Sequence, residues 1–508
     1  MDMPITPNKR IRVLLEMRPA LEKHAGIPQQ NRLLFRGLSM LDGWSVEGLI
    51  QSGSRILGKG LPPNGRGWFG PLPKDRQIDR LSRVVIRLDQ KFLRNYLSVP
   101  TLAIRRLLGG SEGLTRFDAS HFRDFIWRRL FSKTLPANDF AVVTAAGFRV
   151  ACNSWTAMHI HGLISKCLGY AVFPKLNTSD FDVMISETPY PAVVSKRTRL
   201  VVRYHDAIPL LMPHTIAKRR HHQGFHYRAL RRNVESGAWF ACVSESTRRD
   251  LLSIFPQAES RSVTIHNMIS HDYFDEGSSA SRVREIVRTR LNPRIAQAHL
   301  DPTLRARLFE ANALGAAPEY LLMVSTVEPR KNHLALLDAW ERLRAEGYAT
   351  LKLVLVGSLG WHHRSIVQKY LPWLERGECF LLEDVPSPEL RVLYKHARAT
   401  ICPSYAEGFD LSGAEAMKSG GVVVASDIPV HREIYAEGAE YFNTYSAEDL
   451  ESGIRRVIGP GQELRREELV RCGAMVAERY TCEAIIPQWH DFLASGLTAP
   501  ARSARAVS

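Results

Sequence analysis

Residues 405–417 read Tyr-Ala-Glu-Gly-Phe-Asp-Leu-Ser-Gly-Ala-Glu-Ala-Met. They follow a short apolar run, Ala399–Cys402, and pass through a glycine into a helical pattern. The stretch is therefore a strand, a turn and a helix, the unit of doubly wound α/β sheets. Two carboxylates stand eight positions apart, Glu407 in the loop and Glu415 inside the helix. Between them the first N–H groups of the helix point outward, and their geometry and dipole favour an anion. A phosphate at that end, with both carboxylates accepting from hydroxyls, describes a polyol phosphate. The competing reading is an ordinary turn with Glu415 on the solvent face.

A second loop stands in the same relation to its strand. Ser325-Thr326-Val327-Glu328-Pro329-Arg330-Lys331-Asn332 follows the apolar run Tyr320–Val324 and precedes a helix starting near His333. Adjacent Arg and Lys beyond a strand's carboxyl end are placed to clamp a diphosphate, since open α/β sheets bind ligands at that edge. Similar runs recur at Ile11–Leu15, Phe140–Thr144, Asp182–Ile185, Leu200–Tyr204, Trp239–Val243 and Val263–Ile265. Others are Leu351–Val356, Cys379–Leu382 and Val422–Ala425. Unalternated runs of this length suit parallel strands covered on both faces. Leu334, Leu337, Trp340 and Leu343 are spaced to share one helix face, and Ser387-Pro388 suits a helix start. The polar stretch Ser270–Pro318 divides the runs into two series, which predicts two Rossmann-like domains.

The chain has 508 residues, 45% hydrophobic and 24% charged, which excludes collagen, coiled coil and global disorder. No apolar run reaches the roughly 18 residues of a spanning helix, and a cytoplasmic location is expected. The seven cysteines are scattered and form no C-x-x-C pair; Cys242 and Cys402 read as core residues. The net charge of +16 is uneven: residues 41–136 hold 17 Lys+Arg against 8 Asp+Glu. There the spacing predicts a helix over 76–97, with Ile78, Leu81, Val85, Leu88 and Phe92 stepping by three and four among arginines. A second basic, aromatic stretch spans 122–133. Such helices suit an anionic membrane surface. The alternative is that their apolar faces pack on the N-terminal domain. No nucleic-acid motif accompanies the charge.

The two loops together resemble the retaining glycosyltransferases of family 4. Glu407 and Glu415, with Gly408-Phe409 and Ala416-Met417, match that family's E-x7-E signature. Glu328–Asn332 resembles the diphosphate motif of its bacterial polysaccharide branch, which includes mannosyl- and rhamnosyltransferases. Ser419–Asp427 continues the likeness. Fainter pieces agree in order in the N-terminal half: Gly26-Ile27-Pro28, His205-Asp206-Ala207-Ile208-Pro209, Val243-Ser244-Glu245-Ser246 and His266-Asn267. Residues 41–136 have no counterpart.

The resemblance implies a GT-B fold, with two doubly wound domains facing across a cleft and a basic, mostly helical insertion in the first. The expected division is an acceptor domain over 1–269 with the insertion at 41–136, a connection over 270–315 and a nucleotide-sugar domain over 316–480. A helix over 481–497 returns to the first domain and 498–508 form a disordered tail. Glu415 would hold the donor's ribose, Glu407 the transferred sugar, and Arg330 and Lys331 the diphosphate. His205 would reach the sugar or a phosphate oxygen from the opposite domain. Phe409, Asp410, Leu411 and Ser412 would line the donor site, and Gly26 and Ile27 the acceptor loop. No metal or other cofactor is expected, because Arg, Lys and a helix terminus can supply the positive charge.

The implied partners are a nucleotide sugar, GDP-mannose ahead of others, and a lipid-linked or polysaccharide acceptor. The enzyme would sit peripherally on the inner face of the cytoplasmic membrane, without nucleic acid. A non-catalytic sugar-nucleotide-binding scaffold and an epimerase of the same fold are the alternatives. The pattern departs from the family where Asp410 and Ser412 replace the glycine and proline of G-F-G-L-P. Asp410 either reads a sugar hydroxyl or caps the helix. Asp180-Phe181-Asp182 and the cluster His221, His222 and His226 have the look of metal motifs, but their settings favour a pre-strand turn and a solvated helix face.

Overall fold

The computed structural model describes residues 10–21, 26–62, 66–67, 70–89, 102, 104, 108–164, 172–216, 219–291 and 318–498. Two large sheets organise it. The first contains β1 (Ile11–Glu16), β2 (Trp44–Ile50), β3 (Thr115–Phe117), β4 (Gly147–Val150), β5 (Val183–Ser186), β6 (Arg199–Tyr204), β7 (Trp239–Cys242) and β8 (Ser262–Thr264). Their order is β8-β7-β6-β5-β1-β2-β4-β3. All pairings are parallel except that of β3 with β4. The second contains β9 (Tyr320–Val324), β10 (Lys352–Val356), β11 (Cys379–Leu382), β12 (Ala399–Cys402), β13 (Val423–Ser426) and β14 (Ala439–Phe442), in the order β11-β10-β9-β12-β13-β14. It is parallel throughout.

The strands are apolar without alternation because each sheet is buried on both faces. Leu15 and Leu14, neighbours on β1, lie in different hydrophobic clusters on opposite sides of the first sheet. Leu322 and Leu321 do the same in the second. The last described helix, Cys482–Thr498, returns to the first sheet and places Ile485, Ile486, Trp489 and Leu493 in its core.

Two strands differ from the sequence expectation for one reason. Phe140–Thr144 belongs to a short helix, Phe140–Ala145, and the strand follows at Gly147–Val150. Trp44–Ile50, expected inside the insertion, is the strand paired between β1 and β4. Each carries a charge that breaks its apolar pattern: Glu47 on β2 and Arg149 on β4. These neutralise each other at 2.6 Å, with Arg149 almost fully buried. Burial of a charge is tolerated when it is paired, and neither charge alone reads as a core residue.

The basic segment packs on the first domain. The helix Lys74–Asp89 buries Leu81, Val84 and Leu88 and leaves Ile78 and Ile86 exposed; the predicted continuation to 97 lies outside the described residues. Ile126, Leu130 and Phe131 join the N-terminal core, with Phe122, Phe125 and Trp127 at its margin. Further on, the helix Ser281–Arg290 buries Val283, Ile286 and Val287 in the second core. Residues 292–317 and 499–508, where the remaining connection and most of the tail were expected, lie outside the described residues. Leu334 is exposed, and Leu336 is buried beside Leu337, Trp340 and Leu343. None of the six described cysteines forms a disulfide, and Cys242 and Cys402 are buried. Among the described residues no helix is long and apolar enough to cross a membrane.

Candidate active site

The order of the second sheet reverses between β9 and β12, which are hydrogen-bonded neighbours. A crevice at the carboxyl ends of such strands is where open α/β sheets take ligands. The loops after these strands, 325–332 and 403–410, therefore lie side by side, and Tyr405 N–H donates to the Arg330 carbonyl at 3.0 Å. Arg330 and Lys331 sit on a single turn, Pro329–Lys331, closed by Asn332 at a left-handed φ of 58°. Arg330 Nη1 lies 2.8 Å from Glu407 Oε2, and Lys331 Nζ 2.5 Å from Oε1. Arg330 also donates to the Ala406 carbonyl at 2.6 Å and to Glu328 at 2.8 Å. Burial works against the Glu407 carboxylate, but Arg330 and Lys331 outweigh it and hold its pKa below the usual value.

Asp410 opens the helix Leu411–Lys418 in a left-handed conformation, φ 60°, and its carboxylate caps that helix. Oδ1 accepts from the Ser412 hydroxyl at 2.6 Å and its N–H at 3.3 Å. Oδ2 faces His431 Nε2 at 3.2 Å, and His431 is wholly buried. Burial opposes ionisation, yet Lys331 and the bonds from His431 and Ser412 hold Asp410 well below the ordinary carboxylate range. The departure from the family glycine is thus a cap, and it occupies the N–H of Ser412. Phe409 points into the core against Tyr480, with ring centroids 5.2 Å apart, so its role in this structure is packing.

Glu415 is 5% exposed, which removes the solvent-face reading. Its carboxylate accepts from Tyr394 Oη at 3.2 Å and, across the domains, from Gln29 Nε2 at 3.1 Å. Burial pushes its pKa up to about 7 against the pull of these bonds and of Tyr273.

The N-terminal domain closes over these loops. Gly26, φ 70°, opens the helix Ile27–Ser39, in which Gln29, Gln30 and Asn31 are buried. His205 follows β6, and Nε2–H donates to Glu187 Oε2 at 2.9 Å. The His205 carbonyl lies against Gly408: a Cβ there would meet its oxygen at 1.9 Å. Ser244 and Thr247 hydroxyls donate to the Gly408 carbonyl at 2.6 and 3.2 Å. Farther along the seam, Glu433 accepts the N–H groups of Glu245 and Ser246 at 2.6 and 3.0 Å, and His266 Nε2 lies 2.9 Å away. Buried Asp206 has its pKa raised by burial, with Arg330 opposing. Glu407, Arg330, Lys331, Asp410, His205 and Glu415 thus meet at one seam, with the Gly26-Ile27 turn opening the helix that reaches Glu415.

The metal-like motifs do not join this site. Asp182 accepts the Arg12 N–H at 2.9 Å and Asp180 faces Arg149 at 3.4 Å, both at the amino edge of the first sheet. His226 pairs with Tyr204 Oη at 3.2 Å, burial pushing its pKa down to about 4, while the His222 ring lies 5.2 Å from that of Trp361. Among the described residues no three His, Cys, Asp or Glu side chains converge as a metal site requires.

Sequence reading missed Gln29, Glu187, His431 and Glu433. Only Glu187 had a signal: an acidic residue one position past a strand, at the ligand-binding edge. The others act from helix interiors, where nothing local distinguishes them.

Residues 305–468, which hold both loops, match the family model described as glycosyl transferases group 1. The serotype-specific mannosyltransferase WbdA of Escherichia coli is 38% identical over 144 residues, 28% of this chain and 17% of that protein. The O-antigen chain mannosyltransferase B of Escherichia coli is 28% identical over 239 residues, 47% of this chain and 56% of its own. The chain therefore spans less than two thirds of these relatives. Anabaena HepE in complex with UDP and glucose superposes with a TM-score of 0.54 at 14% identity, over 96% of this chain and 100% of that one. The sucrose-phosphate synthase of Thermosynechococcus elongatus gives 0.53 at 14%, over 96% and 99%. At such identity the likeness is one of fold, and the fold is GT-B.

Proposed function

We propose that the protein is a retaining glycosyltransferase that moves a mannosyl group from a nucleoside-diphosphate sugar to a lipid-linked or polysaccharide acceptor in the synthesis of an O-antigen-type polysaccharide. One observation carries the reading: Glu407 is bracketed by Arg330 and Lys331 at 2.8 and 2.5 Å, directly under the contact between Gly408 and His205. A diphosphate arriving there takes up the two cations, and Glu407 becomes free to accept from sugar hydroxyls. As the C1–O bond to the diphosphate breaks, Arg330 and Lys331 balance the charge on the leaving oxygen. The acceptor oxygen bonds to C1 on the same face, and its proton passes to that oxygen. The reading needs no metal. Mannose is favoured by the names of the relatives.

Attachment to an anionic membrane face belongs to the same proposal. Along the helix Lys74–Asp89, Ile78 and Ile86 are exposed among Arg76, Arg80, Arg83 and Arg87, the composition of an interfacial helix.

The test is calorimetric titration with GDP, UDP and dTDP and their sugars in EDTA. The expected result is selective micromolar binding of one base series, lost in the Arg330→Ala/Lys331→Ala double variant. Absence of binding by the folded protein sinks the proposal.

A further inference from the structure

We infer that Glu187 is the positioning residue of His205 and fixes which nitrogen of its imidazole meets the substrate. The inference rests on the glycosyl-transfer reading above. β5 and β6 are adjacent parallel strands. Glu187 stands one residue past the end of β5 and His205 one past the end of β6, so the topology puts the two side chains next to each other at the ligand-binding edge. The Glu187 side chain is 1% exposed. Oε2 accepts Nε2–H of His205 at 2.9 Å, and Oε1 accepts from Asn31 Nδ2 at 3.1 Å. The Glu187 N–H donates to Glu16 Oε2 at 3.3 Å, and Glu16 is held in turn by Arg18 at 2.7 Å.

A carboxylate only accepts hydrogen bonds. The nitrogen facing it must therefore carry the proton, and the partner on one imidazole nitrogen decides the state of the other. His205 Nδ1 has no hydrogen-bond partner among the described residues, and 10% of the side chain stays exposed, at the seam where the His205 main chain touches Gly408. Nδ1 is thus the nitrogen left for substrate. Without Glu187 the ring is free to turn or to carry its proton on Nδ1, and the productive arrangement becomes one of several.

Asn31 gives the arrangement a second anchor. It donates to Glu187 and, at 2.8 Å, to the Glu16 carbonyl. It lies two residues after Gln29, which bonds Glu415. The helix that opens at Gly26 therefore bears on both His205 and the donor-side carboxylate.

The test is a double-mutant cycle with Glu187→Met, which keeps side-chain volume and removes the acceptor, against His205→Ala. Glu187→Met is expected to lower kcat about 100-fold, the scale of a positioned general acid–base or hydrogen-bonding group. The donor KM should stay within about threefold, since uniform binding is untouched. In a His205→Ala background the same change should cost less than about threefold, because residues that act as a unit are not additive. An unchanged kcat, or an equal loss in both backgrounds, overturns the inference. Should Glu187→Met fail to bind nucleotide, Glu187→Leu, which also removes the acceptor, is put through the same cycle. A readout independent of turnover is the 15N spectrum of His205, assigned by difference from His205→Ala. It should show Nε2 protonated and Nδ1 bare in the neutral protein, and a mixture in Glu187→Met. Identical spectra refute the inference. Failure of the wild type to transfer sugar from any donor, with the tautomer as stated, refutes the proposed function and leaves the Glu187–His205 relation intact.

Discussion

Gln29 donates to Glu415 at 3.1 Å across 386 positions of sequence, joining the first helix of one domain to the motif helix of the other. The next residue, Gln30, bonds the Met268 backbone twice, at 2.6 and 2.7 Å, where the chain leaves the first domain. Asn31 reaches Glu187 behind His205. Three consecutive buried amides thus address the motif helix of the second domain, the connection and the carboxylate behind His205.

The state of Glu415 should be visible in stability. Its folded pKa of about 7 is above the 4.5 of an unperturbed glutamate, so the folded protein binds the proton more tightly than the unfolded chain. The associated stability is present below pH 4.5 and is lost as pH rises to about 7. It amounts to about 3 kcal/mol. Urea midpoints at pH 5 and pH 8 should fall with pH more steeply in the wild type than in Glu415→Gln. Parallel slopes in the two proteins would refute this.

Removing Glu407 should separate binding from chemistry. Its carboxylate neutralises Arg330 and Lys331 when no diphosphate is present. Glu407→Ala frees Lys331 and leaves Arg330 paired with Glu328 alone. Nucleoside diphosphate should bind several-fold tighter by calorimetry, while sugar transfer falls by at least about 100-fold, the loss of an electrostatic contact at the reacting centre. Weaker nucleotide binding would contradict the geometry.

Gly408→Ala tests closure. The added methyl would stand 1.9 Å from the His205 carbonyl oxygen and 3.3 Å from Asp206 Cβ, and the backbone atom cannot swing aside. The two domains must then part. Activity should be lost, and small-angle scattering should show a larger radius of gyration, with nucleotide binding by the second domain retained. A compact, active variant would show that the contact is dispensable.

Glu433→Ala should loosen the same seam from its other end. Glu433 satisfies two N–H groups at the start of the helix Glu245–Ile254 and pairs with His266. Loss of such a terminal carboxylate costs about 1 kcal/mol. Donor KM should rise by several-fold with little change in the thermal transition of the second domain.

Changing Arg80, Arg83 and Arg87 together to Glu should abolish sedimentation with anionic liposomes and leave transfer to a soluble acceptor analogue intact. Unaltered sedimentation would remove the membrane from the proposal.

How far the sequence could be read depended on whether burial and charge agreed. The second sheet was legible strand by strand up to Val423–Ser426, because the one charge in its apolar runs, Lys352, stands at the edge of its run and leaves the apolar core unbroken. The loops 325–332 and 403–410 each follow such a run, as the pattern predicts. The first sheet hid β2 and β4, because Glu47 and Arg149 cancel only once the strands are paired. Within the site, the types of residue were legible but not their partners. Nothing local to Glu415 announces Gln29, and nothing local to Asp410 announces His431. The first contact spans 386 positions and is set by closure of the two domains; the second spans 21 and is set by packing of two helices within one domain, and spacing along the chain encodes neither.

β3 is three residues long and drawn from the basic segment, yet it is the strand that ends the first sheet, bonded antiparallel to Gly147–Val150. A protein shortened by excising that segment would lose β2 as well as β3, leaving β4 without either neighbour and β1 bare along one side. It would also lose Leu81, Val84, Leu88, Ile126, Leu130 and Phe131 from beneath the sheet. Open strand edges recruit other chains. The stretch that looks most like an addition is therefore part of the sheet and core of this domain, and a truncation that removes it should yield aggregates.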